Sequence, residues 1–482
     1  MRFKIFGLIF LVLIVHCWSY SQQSFFGGLE NDIPSSIVRA GDGNLYMAGY
    51  SKSFDYGDDQ VYIIKCTETG DIIWENTYGG IYGEHPFDLI INDDNNLVLT
   101  GESYTGFGQN WGRENQFVIE VGANGELISE NAFFLYHRDL GLRVQNVSGG
   151  GYILNGFSKS SDDVHGEMMV TRLNSSFEMM WQVFIGEAQS VDYGFEIIQN
   201  SLGFLAIGSQ GGFLNSNQVD FTTPQSDILV AQVDFDGNLL WKRTYGGAGH
   251  DWVEEAIVVD DEIYMVGSTQ SLGEGGFDML LMKLSINGDS LFSKAFGSEY
   301  YDQGRCISYA NGSLYLGGVA KKSDHPFSSA NYIVSTDLDG ELIWENTYEF
   351  SDSDKLKDMA VDEGNSQLYC ISAMKEEGLN SGFHLYAINF EGQVSSITAF
   401  SRNKLMVYPN PVHSGNSVLI KLPNTNAGGI YVYNLSGELV WNNEVKTDKH
   451  ECSISTKGME SGLYTCKIVY ENDQVYIAKF IV

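Results

Sequence analysis

The stretch Leu239–Gly247 reads LLWKRTYGG, and the 482-residue chain repeats it along most of its length. Trp74 stands in DIIWENTYGG, Trp181 in EMMWQVFIG and Trp344 in LIWENTYEF. Degenerate copies read LISENAFF beyond Gly125, SLFSKAFGS after Asp289 and SSITAF after Val394. The residue four past each Trp position falls at Phe26, Tyr78, Phe133, Ile185, Tyr245, Phe296, Tyr348 and Phe400, in steps of 52, 55, 52, 60, 51, 52 and 52 residues. A period of that size marks stacked sheets or a propeller.

Between the Trp segments the grammar is constant. An apolar segment (SSIVRA, FDLIIND, LRVQNV, FEIIQN, EEAIVV, RCISYA, KDMAVD) leads through a tight turn to a second, such as NLYMAGYS or EIYMVGST. A loop of variable length then reaches a third, such as QVYIIKC or DMLLMKL, and a Gly-containing turn such as Asp236-Gly237-Asn238 opens the Trp segment. Short runs of β-branched and aromatic residues between Gly, Asn and Asp turns are strands joined as hairpins. One four-stranded sheet cannot bury both faces alone, so copies must pack on one another. The expected fold is all-β, a seven-bladed β-propeller over 22–400. Phe25-Phe26-Gly27-Gly28 looks like the tail of a Trp segment without its beginning, able to pair beside the last blade and latch the ring. The Trp residues read as outer-strand aromatics filling the gaps between blades.

The chain starts with Arg2 and Lys4 before an apolar run from Ile5 to Val15, with Ser19-Tyr20-Ser21 as a small-x-small site. That pattern predicts an export signal over 1–21, too short for a membrane span, and no later run reaches the ~20 residues a spanning helix needs. The formal charge is −34, or −36 with 26 basic against 62 acidic residues once Arg2 and Lys4 are removed. Such a surface excludes nucleic acid as a natural partner, because phosphate binding rests on basic groups, and favours solubility through self-repulsion. Cys66, Cys306, Cys370, Cys452 and Cys466 are scattered, so no disulfide framework and no CxxC metal motif is present; Cys452 and Cys466 lie in neighbouring apolar segments and could pair, and at least one thiol is left over.

The phrase W-x-x-x-Y-G-G…D…G-x-[LI]-Y-[ML]-x-G, clearest in TYGGAGHDWVEEAIVVDDEIYMVGSTQS, resembles the bacterial β-propeller repeat of large exported proteins. That resemblance implies a fold over some 375 residues and no single activity. Segments ending G-x-[IL]-x-W are also similar to pyrroloquinoline-quinone enzyme repeats, without the quinone- and metal-clamping features that such an enzyme requires. After the joint 401–405 the grammar changes. Residues 406–482 hold short alternating segments that suggest a small, immunoglobulin-like β-sandwich. Tyr408-Pro409-Asn410-Pro411, Tyr433-Asn434-Leu435-Ser436-Gly437, Ser461-Gly462-Leu463-Tyr464 and Lys479-Phe480-Ile481-Val482 resemble the C-terminal sorting domain of the type IX secretion system. The resemblance implies export across an outer membrane and a secretion-machinery partner, with Tyr408, Pro409, Asn410, Pro411, Gly437, Gly462, Tyr464 and Lys479 as the sorting marks.

Loop lengths set the two faces of the ring apart. The loops between second and third segments (52–59, 104–114, 159–166, 210–226, 270–277, 321–330 and 375–382) are long and unequal, and they open on the face of the blade-to-blade links. Variable loops on a rigid scaffold are where binding resides. The most ligand-like is YTGFGQNWGRE, with Tyr104, Phe107, Trp111 and Arg113 suited to stacking on sugars or peptides; Phe213 and Phe221 stand similarly in the longest loop. Six or seven residues past the ruler come Asp32, His85, Asp139, Asp192, Asp251, Asp302 and Asp354. They read as Asx-type turns capping backbone N–H groups; the competing reading is a carboxylate collar able to hold Ca2+, which sevenfold spacing disfavours. No cofactor is expected. HExxH, GxSxG, GxxxxGK[ST] and EF-hand loops are missing. The expected function is an exported surface or secreted module binding glycan or protein; the alternative is an extracellular enzyme on polysaccharide or peptide, with acidic residues of the long-loop face as acid and base.

Overall fold

A computed structural model describes residues 24–482 except 29, 55–58, 80–82, 106–110, 134–137, 160–165, 188–189, 212–213, 216–217, 220–225, 322–328, 352, 376–380, 396–405, 409–411, 413–414, 422–426, 435–437, 444–450 and 471–474. The expected export signal therefore lies outside the described residues. Among the described residues every regular element is a strand, and no helix is long and apolar enough to cross a membrane.

From Asp32 the strands come in antiparallel groups of four. The first unit is Asp32–Arg39, Leu45–Ser51, Gln60–Cys66 and Ile72–Tyr78. The same order recurs over 84–133, 138–185, 192–245, 251–296 and 302–348. The unit that follows has three long strands, Ser353–Asp362, Gln367–Lys375 and Ser381–Asn389. Its fourth place is shared: Val394–Ser395 pairs with one end of Ser381–Asn389 (Ile388↔Val394) and Ser24–Phe26 with the other (Phe26↔Phe383). Phe26, 3% exposed, is thereby sealed in a core with Ile37, Tyr62, Ile371 and Phe383. The first strand of each unit lies against the first strand of the next, and Ser353–Asp362 lies against Asp32–Arg39, so the inner strands form a closed circuit. Sheets set around such a circuit are a β-propeller.

Two devices explain the repeats, the first joining neighbouring units and the second fitting the inner strand of a unit to its own second strand. The outer-strand Trp reaches across to the turn before the next unit's fourth strand. Trp74 Nε1 donates to Ala123 O (3.0 Å), Trp181 Nε1 to Phe235 O (3.0 Å) and Trp344 Nε1 to Phe390 O (2.9 Å). Four residues on, Tyr78 and Tyr348 donate their hydroxyls to the turn glycines Gly125 O (2.8 Å) and Gly392 O (2.7 Å). The turn must be glycine twice over. Gly125 sits at φ 88°, which L side chains resist, and a Cβ there would meet Asn76 Nδ2 at 2.6 Å and the Trp74 ring at 3.2 Å.

The second device lies at the axis. Every inner strand carries a bulge, skipping from Pro34 to Ser36, Pro86 to Asp88, Gly141 to Arg143, Gly194 to Glu196, Val253 to Glu255, Gly304 to Cys306 and Leu356 to Asp358. A bulge bends and twists its strand and thrusts a carbonyl at the second strand. There the repeated Gly of NLYMAGYS answers it: a Cβ on Gly49 would lie 2.1 Å from Ile33 O, and one on Gly267 1.9 Å from Trp252 O.

The C-terminal unit has two sheets. One joins Met406–Tyr408, Ser417–Lys421 and Glu451–Ser455; the other joins Leu439–Asn443, Ala427–Tyr433, Leu463–Tyr470 and Val475–Ile481. Both send side chains into one core of Val418, Ile420, Ile454, Ile430, Val432, Cys466 and Phe480. Cys452 and Cys466 sit in different sheets and remain thiols, as do Cys66, Cys306 and Cys370.

Candidate functional site

The blade links are stitched before any side chain acts. The first N–H of an inner strand donates to the carbonyl just ahead of the previous unit's third strand: Glu84 N to Asp59 O (2.8 Å), Asp251 N to Ser226 O (2.8 Å), Asp302 N to Phe277 O (2.6 Å). At this crossing stands the repeated aspartate, 0–2% exposed in each copy. Asp251 accepts Gly247 N (2.8 Å), the Ser271 hydroxyl (2.6 Å) and the Thr269 hydroxyl. Asp354 accepts Phe350 N (2.6 Å) and Ser351 N (2.9 Å), Asp32 accepts Gly28 N (2.5 Å) and the Ser53 hydroxyl (2.8 Å), and Asp192 accepts Glu187 N (2.9 Å). Asp302 accepts Ser298 N (2.5 Å), and Asp139 the Ser158 hydroxyl (2.5 Å). Where an acceptor pairs with a backbone N–H of the link, as in Asp32, Asp192, Asp251, Asp302 and Asp354, the carboxylate caps a turn.

His85 is a correction to the series. Glu84, opposite Ser103 in the ladder, occupies the place that Asp32 takes opposite Ser51, with its carboxylate beside Gly79 as that of Asp32 is beside Gly27. The ruler of six or seven residues straddles the two positions, and the adjacent ladder row belongs to His85.

His85 instead centres a polar cluster on the long-loop face. Its Nε2 lies 2.6 Å from Asp59 Oδ2 and its Nδ1 3.0 Å from Glu102 Oε1. Burial opposes charge on the imidazole, but hydrogen bonds to Asp59 and Glu102 raise its pKa to about 9, so it is a cation at neutral pH. Burial raises the Asp59 carboxyl, and His85 and Lys52 outweigh it and hold it below the usual range. Arg138 pairs with Glu114 and stands 3.9 Å from Glu102. Two tyrosines finish the cluster: the Tyr50 ring lies against the imidazole at 4.3 Å, and Tyr104 meets it edge-on at 5.5 Å with its hydroxyl 3.3 Å from Glu102 Oε1. Tyr104 is 39% exposed. Of its expected companions, Phe107 lies outside the described residues, as do Phe213 and Phe221, and so do the side chains of Trp111 and Arg113, whose backbone belongs to the strand Trp111–Val121.

A second charged layer, unread in the sequence, surrounds the axis. The residues just past the bulges, four beyond the link position, are Ser36, Asp88, Arg143, Glu196, Glu255, Cys306 and Asp358. The carboxylates bridge units through the backbone: Asp88 Oδ2 accepts Val144 N (2.9 Å), Glu255 Oε2 accepts Ile307 N (2.8 Å) and Asp358 Oδ2 accepts Ile37 N (2.9 Å). Arg143 reaches Glu196 (3.2 Å), Asp88 (3.5 Å) and Glu255 (3.7 Å). Burial works against that guanidinium, yet Glu196, Glu255, Asp88 and Asp358 together hold its pKa well above the ordinary value. Four carboxylates share one cation, so burial drives Glu196 up to about 7 and Asp358 to about 6. The signal was the charged residue standing second in segments read as apolar: FDLIIND, LRVQNV, EEAIVV, KDMAVD.

In the C-terminal unit Tyr464 is buried, stacks on Phe480 at 5.6 Å and donates to Glu460 O (2.7 Å). Gly462 and Val482 exchange two backbone hydrogen bonds of 3.0 Å, extending the ladder of Leu463–Tyr470 with Val475–Ile481 by one pair. Lys479 pairs in register with Thr465, and Tyr408 with Leu419; Pro409, Asn410, Pro411 and Gly437 lie outside the described residues. The family model described as the secretion system C-terminal sorting domain matches residues 406–482. Those residues are a secretion system C-terminal sorting domain. The sorting domain marks the chain for type IX export to the cell surface or the medium. No curated protein matches the sequence. Among solved structures, the acylaminoacyl peptidase of Pyrococcus horikoshii is 10% identical, with 82% of this chain and 58% of that one covered and a TM-score of 0.43. The β-propeller domain of the trilobed protease from Pyrococcus furiosus, described as having an open velcro topology, is 8% identical over 77% of this chain and 96% of that one (TM-score 0.43). A puromycin hydrolase mutant complexed with PGG is 10% identical over 83% and 61% (TM-score 0.47).

Proposed function

We propose that the chain is an exported binding module for glycan or protein, with 1–21 as export signal, 22–400 as a seven-bladed β-propeller, 401–405 as a joint and 406–482 as an immunoglobulin-like sorting sandwich. The closed circuit of inner strands and the shared fourth strand of the last unit support the blade count. The observation that carries the binding reading is Tyr104, an exposed ring held on the salt-bridged His85–Glu102 platform at the root of the loop 104–114. A fixed, half-exposed aromatic offers a stacking face at little entropic cost. The secreted protein screened on glycan arrays and in pull-downs of extracellular proteins tests this, beside Tyr104→Ala and Trp111→Ala. Loss of a captured ligand in either variant is expected; full retention in both removes this loop as the site.

A further inference from the structure

The axial end between the sixth and seventh units gathers positive charge in a chain whose formal charge is −34. Arg305 and Lys357 are the unpaired bulge residues of adjacent inner strands, Asp302–Ala310 and Ser353–Asp362. Lys355 lies two residues before Lys357 on the same strand. None of the three makes an ion pair among the described residues, and Arg305 Nε is buried without a hydrogen-bond partner. In the corresponding bulge places the first to fourth units carry Ser35, Phe87, Leu142 and Phe195, and the fifth, which adjoins the sixth, carries Glu254, so one acid stands against three cations in this layer.

We propose that this end of the axis binds an anionic polysaccharide through Arg305, Lys355 and Lys357. Cations that outnumber the acids around them mark a place where an anion completes the electrostatics. Burial, then Arg305 and Lys355, lower the Lys357 pKa to about 7 against the opposing pull of Glu254. Burial, then Arg305, Lys321 and Lys375, lower that of Lys355. Each cation thus carries an unfavourable interaction that a carboxylate or sulfate relieves. Repeated charges along a polysaccharide suit cations spread over two strands better than a single small anion does. Beside them the Tyr301 ring, with Lys321 Nζ 4.5 Å from its centroid, offers a flat face to a sugar. The inference rests on the binding-module reading and names its ligand class at a second place on the same face.

The test is binding of the whole secreted protein to immobilised polygalacturonate and chondroitin sulfate, with dextran and poly-glutamate as comparison probes. Capture of the acidic polysaccharides is expected, together with roughly tenfold weaker binding for Arg305→Gln combined with Lys357→Met, in line with loss of a charge-assisted hydrogen bond. Lys355→Gln, which leaves Arg305 and Lys357 in place, should weaken binding in the same direction. Capture undiminished in these cation variants overturns the site and leaves the binding module standing. Equal or stronger capture by poly-glutamate, or capture of dextran alone, overturns the ligand class. No capture of either acidic polysaccharide overturns the proposal outright.

Discussion

Replacing His85 by Gln keeps one hydrogen bond to the Asp59–Glu102 pair and removes the charge between them. The imidazole pKa rises from an ordinary 6.5 to about 9 in the folded chain, so the native state holds a proton that the unfolded chain has released. Stability from this source is complete below the unfolded value near 6.5 and disappears as pH rises through about 9. At ~1.4 kcal/mol per tenfold change the shift is worth at most about 3 kcal/mol. The side chain is 18% exposed, so partial screening brings the expectation to about 2 kcal/mol. Lys357 titrates in an overlapping window with the opposite sign: with its pKa lowered to about 7, it contributes stability as pH rises from there toward 10.5. That contribution is common to wild type and His85→Gln and cancels in their difference. Guanidinium unfolding followed by Trp fluorescence from pH 6 to pH 10 should show the variant about 2 kcal/mol less stable at pH 6, with the gap closing by pH 10. A gap that stays constant across that range would refute the salt-bridged imidazole.

Three further expectations follow from the packing. Gly125→Ala should cost about 1–3 kcal/mol through its positive φ and collision with Trp74, and Trp74→Ala about 3–5 kcal/mol, both read as a lower Tm in calorimetry; an unchanged Tm contradicts the clasp. Phe26→Ala should cost about 3 kcal/mol and speed hydrogen exchange in 383–385, the residues that Ser24–Phe26 covers; unaltered exchange there contradicts the shared fourth strand. Deleting 406–482 should leave the propeller in the periplasm on cell fractionation, and normal appearance outside the cell contradicts the sorting assignment.

Much of this architecture was legible because each repeat must solve the same local problem. The Trp-to-Tyr spacing places two donors on one side of an outer strand, and the glycine of each Asp-Gly turn marks what they grasp. Phe26 was readable as a latch because it is the ruler's first mark with no strand before it. The His85 assignment failed by one residue because a count along the chain cannot see which side chain faces Ser103 across the ladder. Arg143 was invisible for a different reason. Its partners Asp88, Glu196 and Glu255 lie 53 to 112 residues away, and only closure of the inner strands brings them together. The basic bulge residues Arg305 and Lys357 were hidden in segments read as apolar, where the bulge releases them from the alternation that periodicity depends on. The sorting marks were legible as a resemblance alone; alternation suggested a sandwich and nothing about export.

The account stands or falls on the ring. An electron-density or cryo-EM map of the secreted protein should show seven sheets, with Ser36 Oγ of the first inner strand 3.0 Å from Asp358 Oδ2 of the last and Phe26 paired beside Phe383. Six or eight sheets, or a gap between Ser36 and Asp358, would contradict it.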